Sequence, residues 1–182
     1  MSAPTDLGIE GVLRISLDAL TDDRGTFVEL FRRSWIPGGA APRQANLSRS
    51  RAGVLRGLHF HRRQWDYWSA VSGTAFVALL DLRIGSPTEL VVATSTLSAE
   101  EPAGLFIPAG VAHGFCATSD YGFIYLVDAY YDPSDELGVA WDDPGLGIAW
   151  PATDPILSDR DRANSSLADI RDDLPRYHPS VG

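Results

Sequence analysis

Short strand-forming runs, repeatedly broken by glycine- and proline-containing turns, constrain this chain more than any other feature. Val71 to Leu82 is rich in β-branched and aromatic residues, Leu90 to Thr96 and Leu105 to Ile107 are shorter runs, and Gly122 to Ala129 is another. Between them stand Gly85-Ser86-Pro87, Glu101-Pro102-Ala103-Gly104 and Pro108-Ala109-Gly110, with Asp132-Pro133 and Asp143-Pro144-Gly145 further on. Many short strands with turn residues at regular intervals predict an all-β sandwich or barrel. Helical periodicity is weak and predicts only short helices near the C-terminus, around Arg160 to Asn164 and Leu167 to Asp173. No linker or repeat divides the 182 residues, so one domain over 1–182 is expected, with a core over about 8–165 and a loose polar tail from about Leu174 to Gly182.

Composition narrows the function classes. No apolar run approaches the ~20 residues of a membrane span, and the first residues lack the basic and apolar pattern of a secretory leader. Cys116 is the only cysteine, which excludes an internal disulfide and suits a reducing, cytoplasmic setting. A net charge of −9 argues against general nucleic-acid binding. All 15 cationic side chains are arginine, so chemistry that needs a lysine, such as Schiff-base formation or P-loop phosphate binding, is excluded. Eight of these arginines fall between Leu30 and Trp65, where no Asp or Glu occurs. Such a segment predicts either an anion pocket, since guanidinium groups bind phosphate in bidentate fashion, or a solvated or subunit-contacting face.

Chemistry concentrates in two segments. In Arg56-Gly57-Leu58-His59-Phe60-His61, strand alternation places His59 and His61 on one face. Pro108-Ala-Gly110-Val-Ala-His113-Gly114-Phe115 carries a third histidine just beyond a turn.

These segments, together with Asp23-Arg24-Gly25-Thr26-Phe27-Val28-Glu29, Gln44-Ala45-Asn46 and Asp81-Leu82-Arg83, resemble the dTDP-4-dehydrorhamnose 3,5-epimerase family. Tyr125, Tyr131-Asp132-Pro133, Glu136, Trp141-Asp142-Asp143-Pro144, Trp150-Pro151 and Leu157-Ser158-Asp159-Arg160-Asp161 extend the match in order from about residue 8 to 165. The resemblance implies a cupin jelly-roll barrel and a homodimer, acting on a dTDP-linked 4-keto-6-deoxyhexose without metal or organic cofactor. It further implies that His59 is the general base, Asp161 its orienting carboxylate, Tyr125 the proton donor and Tyr131 a stacking partner for thymine. Arg24, Glu29, Gln44, Asn46, Arg56, His113 and Glu136 would line the nucleotide-sugar site. The residue types suit the chemistry. A proton beside a C4 ketone is acidified by enolate formation, and imidazole, with an ordinary pKa of about 6.5, is matched to removing it near neutral pH.

One departure stands out. The family resemblance leads to a lysine seven residues before Gly73, beside the developing oxyanion, and this chain has Asp66 there. Arg62 and Arg63 are the nearest cations in sequence that could compensate. Two other readings follow from the same position. Gly53, His59, His61, Asp66 and Gly73 have the spacing of metal-binding cupins, with His113 as third histidine, which would make a metal-dependent isomerase, oxygenase or binding protein. Loss of the lysine would alternatively leave a nucleotide-sugar-binding relative without catalysis.

Overall fold

The computed structural model describes residues 4–179, and almost all of its regular structure is strand. In chain order these are β1 (Thr5–Asp6), β2 (Leu13–Ser16), β3 (Ala19–Asp22), β4 (Gly25–Val28), β5 (Gln44–Ser50), β6 (Leu55–Phe60) and β7 (Asp66–Ser72). Then follow β8 (Thr74–Asp81), β9 (Val92–Ser98), β10 (Ala103–Ile107), β11 (Val111–Ala117), β12 (Tyr121–Val127) and β13 (Leu137–Gly138). A six-stranded sheet has the order β1-β2-β10-β7-β12-β5, and a five-stranded sheet the order β13-β6-β11-β8-β9. From β5 to β13 successive strands alternate between the sheets except at the β8–β9 hairpin, the mark of a jelly roll. The hairpin β3–β4 pairs with neither sheet.

Alternation explains three layers of packing. Ala75, Val77 and Leu79 of β8 point between the sheets, where they meet Trp68, Leu105 and Phe123 of the other sheet. Ala78 and Leu80 point to the opposite face and are covered by Val139, Leu146 and Leu174 of the C-terminal segment. On the outer face of the six-stranded sheet, Tyr67 and Phe106 pack under Ile36 and Trp65. Because the opposite sheet covers one face of β8 and the C-terminal segment the other, β8 reads as a continuous apolar run and not as an in–out pattern.

Three expectations change. The run from Val71 to Leu82 is two strands in different sheets, parted at Gly73, whose φ of +66° turns the chain from one sheet to the other. A Cβ there would stand 1.9 Å from the Asp120 carbonyl oxygen, so only glycine fits. Of the two C-terminal helices, the first is a single turn, α1 (Asp159–Arg162), and the second shrinks to a 3-10 turn at Arg171–Asp173. The tail is docked over its described part: Leu174 is buried, the Ile84 N–H donates to the Pro175 carbonyl and the Tyr177 N–H to the Ile84 carbonyl. Residues 180–182 lie outside the described residues.

Candidate active site

Between the two sheets opens a cavity of about 440 Å³. The five-stranded sheet contributes Arg56 and His59 from β6 and His113 from β11, while the six-stranded sheet contributes Gln44 and Asn46 from β5, Asp66 from β7 and Tyr125 from β12. Arg56 and His59 are three residues apart and on a regular strand would face opposite sides. Pairing runs His113 to His59 and then Phe115 to Arg56, so β6 carries one extra residue over this interval. That bulge brings both side chains to the same cavity. It is built at Gly57, whose φ is +128° and whose missing Cβ would lie 2.5 Å from the Gly114 Cα.

His59 Nε2 is 2.5 Å from Asp161 Oδ1. Asp161 is 3% exposed and sits in the first turn of α1, where Ser158 caps the helix by accepting from the Asp161 N–H at 3.1 Å. The Ser158 hydroxyl donates to Asp161 Oδ2 at 2.8 Å. Burial opposes ionisation of Asp161, but the bonds from His59, Ser158 and the Gly57 backbone outweigh it and hold the carboxyl below its usual range. Asp161 is therefore a fixed anion behind His59. As a carboxylate it can only accept, so Nε2 carries the proton and the Nδ1 lone pair of a neutral ring is left for proton abstraction. Tyr125 has the opposite tuning: burial, then the charges of Asp66 and Glu136, raise its pKa and keep its hydroxyl protonated.

A second cluster lies deeper. Asp66 Oδ2 is 3.5 Å from His113 Nε2 and 3.9 Å from His61 Nε2, and it has no hydrogen-bond partner although Asp66 is 3% exposed. Burial pushes the Asp66 carboxyl up to about 8, against a hydrogen bond from Gln64 that lowers it. Burial likewise lowers His61 and takes His113 well below the usual imidazole value. His61 Nδ1 donates to the Asp135 carbonyl at 2.8 Å and His113 Nδ1 to the Val111 carbonyl at 3.0 Å.

The model of the dTDP-4-dehydrorhamnose 3,5-epimerase family matches residues 6–169. The chain belongs to this family. It is 38% identical over 179 residues to the dTDP-4-dehydrorhamnose 3,5-epimerase of Neisseria gonorrhoeae, covering 94% of this chain and 55% of that one. The chain thus spans little more than half of that relative's length. It is 39% identical to a dTDP-4-dehydrorhamnose 3-epimerase of Streptomyces niveus, covering 94% of this chain and 87% of the relative. The crystal structure of the dTDP-6-deoxy-D-glucose-3,5-epimerase of Legionella pneumophila, in complex with dTDP-4-keto-L-rhamnose, superposes with a TM-score of 0.91 at 34% identity. That superposition covers 97% of this chain and 99% of that one.

Within this family member, eight of the residues singled out in the sequence line one cavity: His59, Tyr125, Gln44, Asn46, Arg56, His113, Tyr131 and Glu136. Asp161 stands directly behind His59. Gln44 donates to Asn46 Oδ1 at 3.0 Å and accepts from the Tyr131 N–H at 3.1 Å, which ties the exposed Tyr131 to the rim. Glu136 is paired with Arg160 at 2.5 Å. Arg24 and Glu29 lie outside this cavity, Arg24 on the separate β3–β4 hairpin and paired with Asp22 at 2.5 Å, Glu29 just after it and paired with Arg32 at 2.6 Å. The four-ligand metal set is not assembled: His61, Asp66 and His113 gather, while His59 is turned to Asp161. Nor do the neighbouring arginines stand in for a lysine. Arg62 donates to the Asp173 carbonyl, and Arg63 pairs with Asp132 at 3.1 Å on the rim. Sequence reasoning did not single out Ser158, though a serine three residues before Asp161 is a helix-capping signal. It also passed over Trp68, whose ring meets His113 edge-on at 5.2 Å.

Proposed function

We propose that this chain is an isomerase that inverts C3, C5 or both of a dTDP-4-keto-6-deoxyhexose in deoxysugar biosynthesis. The observation that carries the reading is the His59–Asp161 contact of 2.5 Å on the wall of a cavity that Tyr125 also lines. His59 removes the proton flanking the C4 ketone through its free Nδ1. The electron pair moves into the carbonyl to give an enolate, and Asp161 balances the imidazolium that forms. Tyr125, kept protonated by its surroundings, returns a proton to the carbon from the other side, and that carbon is inverted. Arg56 and Tyr131 suit the diphosphate and the pyrimidine, a guanidinium for the anion and an exposed ring for stacking. Cys116 is free and buried, in keeping with a cytoplasmic enzyme. Among the described residues no helix is long and apolar enough to cross a membrane.

The test is solvent-deuterium exchange into dTDP-4-keto-6-deoxyhexoses, read by mass and by position of label. Wild type incorporates deuterium at C3, C5 or both. His59→Ala abolishes exchange, whereas Tyr125→Phe retains exchange and blocks inversion. Wild-type exchange in His59→Ala would remove the base assignment, and binding of the substrate without any exchange by wild type would leave only a binding protein.

A further inference from the structure

The epimerase chemistry above makes no use of the three side chains at the bottom of the cavity, and their arrangement is incomplete as it stands. Each imidazole donates from Nδ1 to a backbone carbonyl, so the remaining nitrogen of each neutral ring, Nε2, is an acceptor. Both Nε2 atoms face Asp66 Oδ2, itself an acceptor when ionised and without a hydrogen-bond partner. With Asp66 ionised, three lone-pair groups converge with no donor among them; with the carboxyl protonated, as burial favours, its single O–H serves one imidazole and leaves the other acceptor unpaired. No lysine exists in the chain, and Arg62 and Arg63 are engaged elsewhere. The neighbouring charges of Asp128 and Glu136 are negative as well. A cation held by all three side chains satisfies every one of these lone pairs, which a single proton cannot.

We propose that His61 Nε2, His113 Nε2 and the Asp66 carboxylate bind a divalent transition-metal ion, and that this ion supplies the positive charge beside the keto sugar. The three ligand atoms lie within 4.8 Å of one another. Ligands about 2.0–2.1 Å from a tetrahedral ion stand ~3.3 Å apart, so the 3.5 and 3.9 Å from Asp66 need only a small contraction, while the two imidazole nitrogens, within 4.8 Å of each other, close in further on the ion. The bonds from each Nδ1 to a carbonyl are the outer contacts that orient metal-binding histidines. Two imidazoles and one carboxylate suit zinc, cobalt, iron(II) or nickel, and leave coordination positions open toward the cavity. An ion there polarises the ketone oxygen, which accepts the electron pair released when the C–H bond breaks, and no redox change is involved. This second part rests on the epimerase reading; the binding site itself does not.

The experiment uses the full chain, purified without a histidine tag and stripped with chelator, titrated with Zn²⁺ and with Co²⁺ by calorimetry and visible absorption. One equivalent binds, with cobalt d–d bands characteristic of nitrogen and oxygen ligands. Asp66→Asn and His61→Gln each weaken binding about 100-fold or more, while His59→Ala binds as wild type does. Substoichiometric binding by wild type, or unchanged binding in both ligand variants, overturns the site. Deuterium exchange then addresses the role. Stripped wild type exchanges slowly and recovers on adding Zn²⁺, and Asp66→Lys exchanges at a rate that chelator does not alter. Metal binding with equal exchange before and after stripping overturns the charge-supplying role alone. Absence of exchange under every metal condition overturns the epimerase reading and leaves the ion site standing.

Discussion

At the residue scale the site depends on one side chain being held for another. Asp161 accepts from His59 on one oxygen and from Ser158 on the other, so its orientation is over-determined and the imidazole cannot choose the wrong tautomer. Asp161→Asn keeps the shape but can present a donor to Nε2. Exchange should then fall on the order of 10²–10⁴-fold, the typical worth of a positioned acid–base group, with substrate affinity little changed. Ser158→Ala removes one hydrogen bond to the anion and one helix cap. About a tenfold loss of exchange and about 1 kcal/mol of stability are expected. Equal exchange in wild type and Asp161→Asn would leave the carboxylate a helix residue only.

At the element scale, strands are what deliver these side chains, and two local devices keep them in place. Gly57 lets β6 bulge against β11. Gly57→Ala puts a Cβ 2.5 Å from the Gly114 Cα at a φ of +128°, which should cost about 2–4 kcal/mol in a urea melt. Exchange should fall along with it, because Arg56 and His59 lose their common face. The end of β8 is secured by Asp81, fully buried, which accepts from Arg83 at 2.7 and 2.8 Å, from Ser86 at 2.6 Å and from Thr88 at 2.7 Å. Burial works against the charge, yet these four bonds prevail and hold the carboxyl below its ordinary 3.8. A folded-state value below the unfolded one means stability that is complete above about pH 4 and lost as pH drops through the lowered value. Asp81→Asn strands a buried guanidinium and should cost about 3–5 kcal/mol. The gap from wild type should be constant between pH 8 and 5 and narrow in acid; a gap that widened on acidification would contradict the pairing. Asp81-Leu82-Arg83 was visible in the sequence only as part of a family motif, because nothing local says that a carboxylate and a guanidinium two residues apart will be sealed from water.

At the scale of the whole molecule, the hairpin β3–β4 is left over. It exposes Leu20 at 65% and Phe27 at 68%, pairs with neither sheet, and carries Arg24 and Glu29 away from their own chain's cavity. A lone two-stranded hairpin is marginal in water unless something packs on it. The homodimer that the family resemblance implies would let this hairpin lie on a second copy and bring Arg24 and Glu29 to that copy's cavity, and so would account for both features. Sedimentation equilibrium should return twice the chain mass for wild type and a shift toward the single chain for Phe27→Asp. A wild-type monomer would leave the hairpin unexplained.

What the sequence by itself determined is what local chemistry can encode. Strand content follows from β-branched and aromatic runs, turns from glycine and proline, and the short C-terminal helices from the weak periodicity around Arg160. Ordered motifs carried the family, and with it the residues of the cavity. Tertiary structure alone decided the rest. His59 and Asp161 are 102 residues apart, and no period of two or 3.6 residues reaches that far. The face on which β8 is covered depends on the C-terminal segment returning over it, which local polarity at the tail does not show, and the break at Gly73 is hidden in sequence by strand-forming residues on both sides. Local pattern left the three histidines equivalent, and only the family resemblance set His59 apart as a base. The resemblance paired His59 with Asp161, but only the packed structure shows the contact and gathers His61 and His113 at an unsatisfied carboxyl, because which group an imidazole meets depends on what the neighbouring elements present.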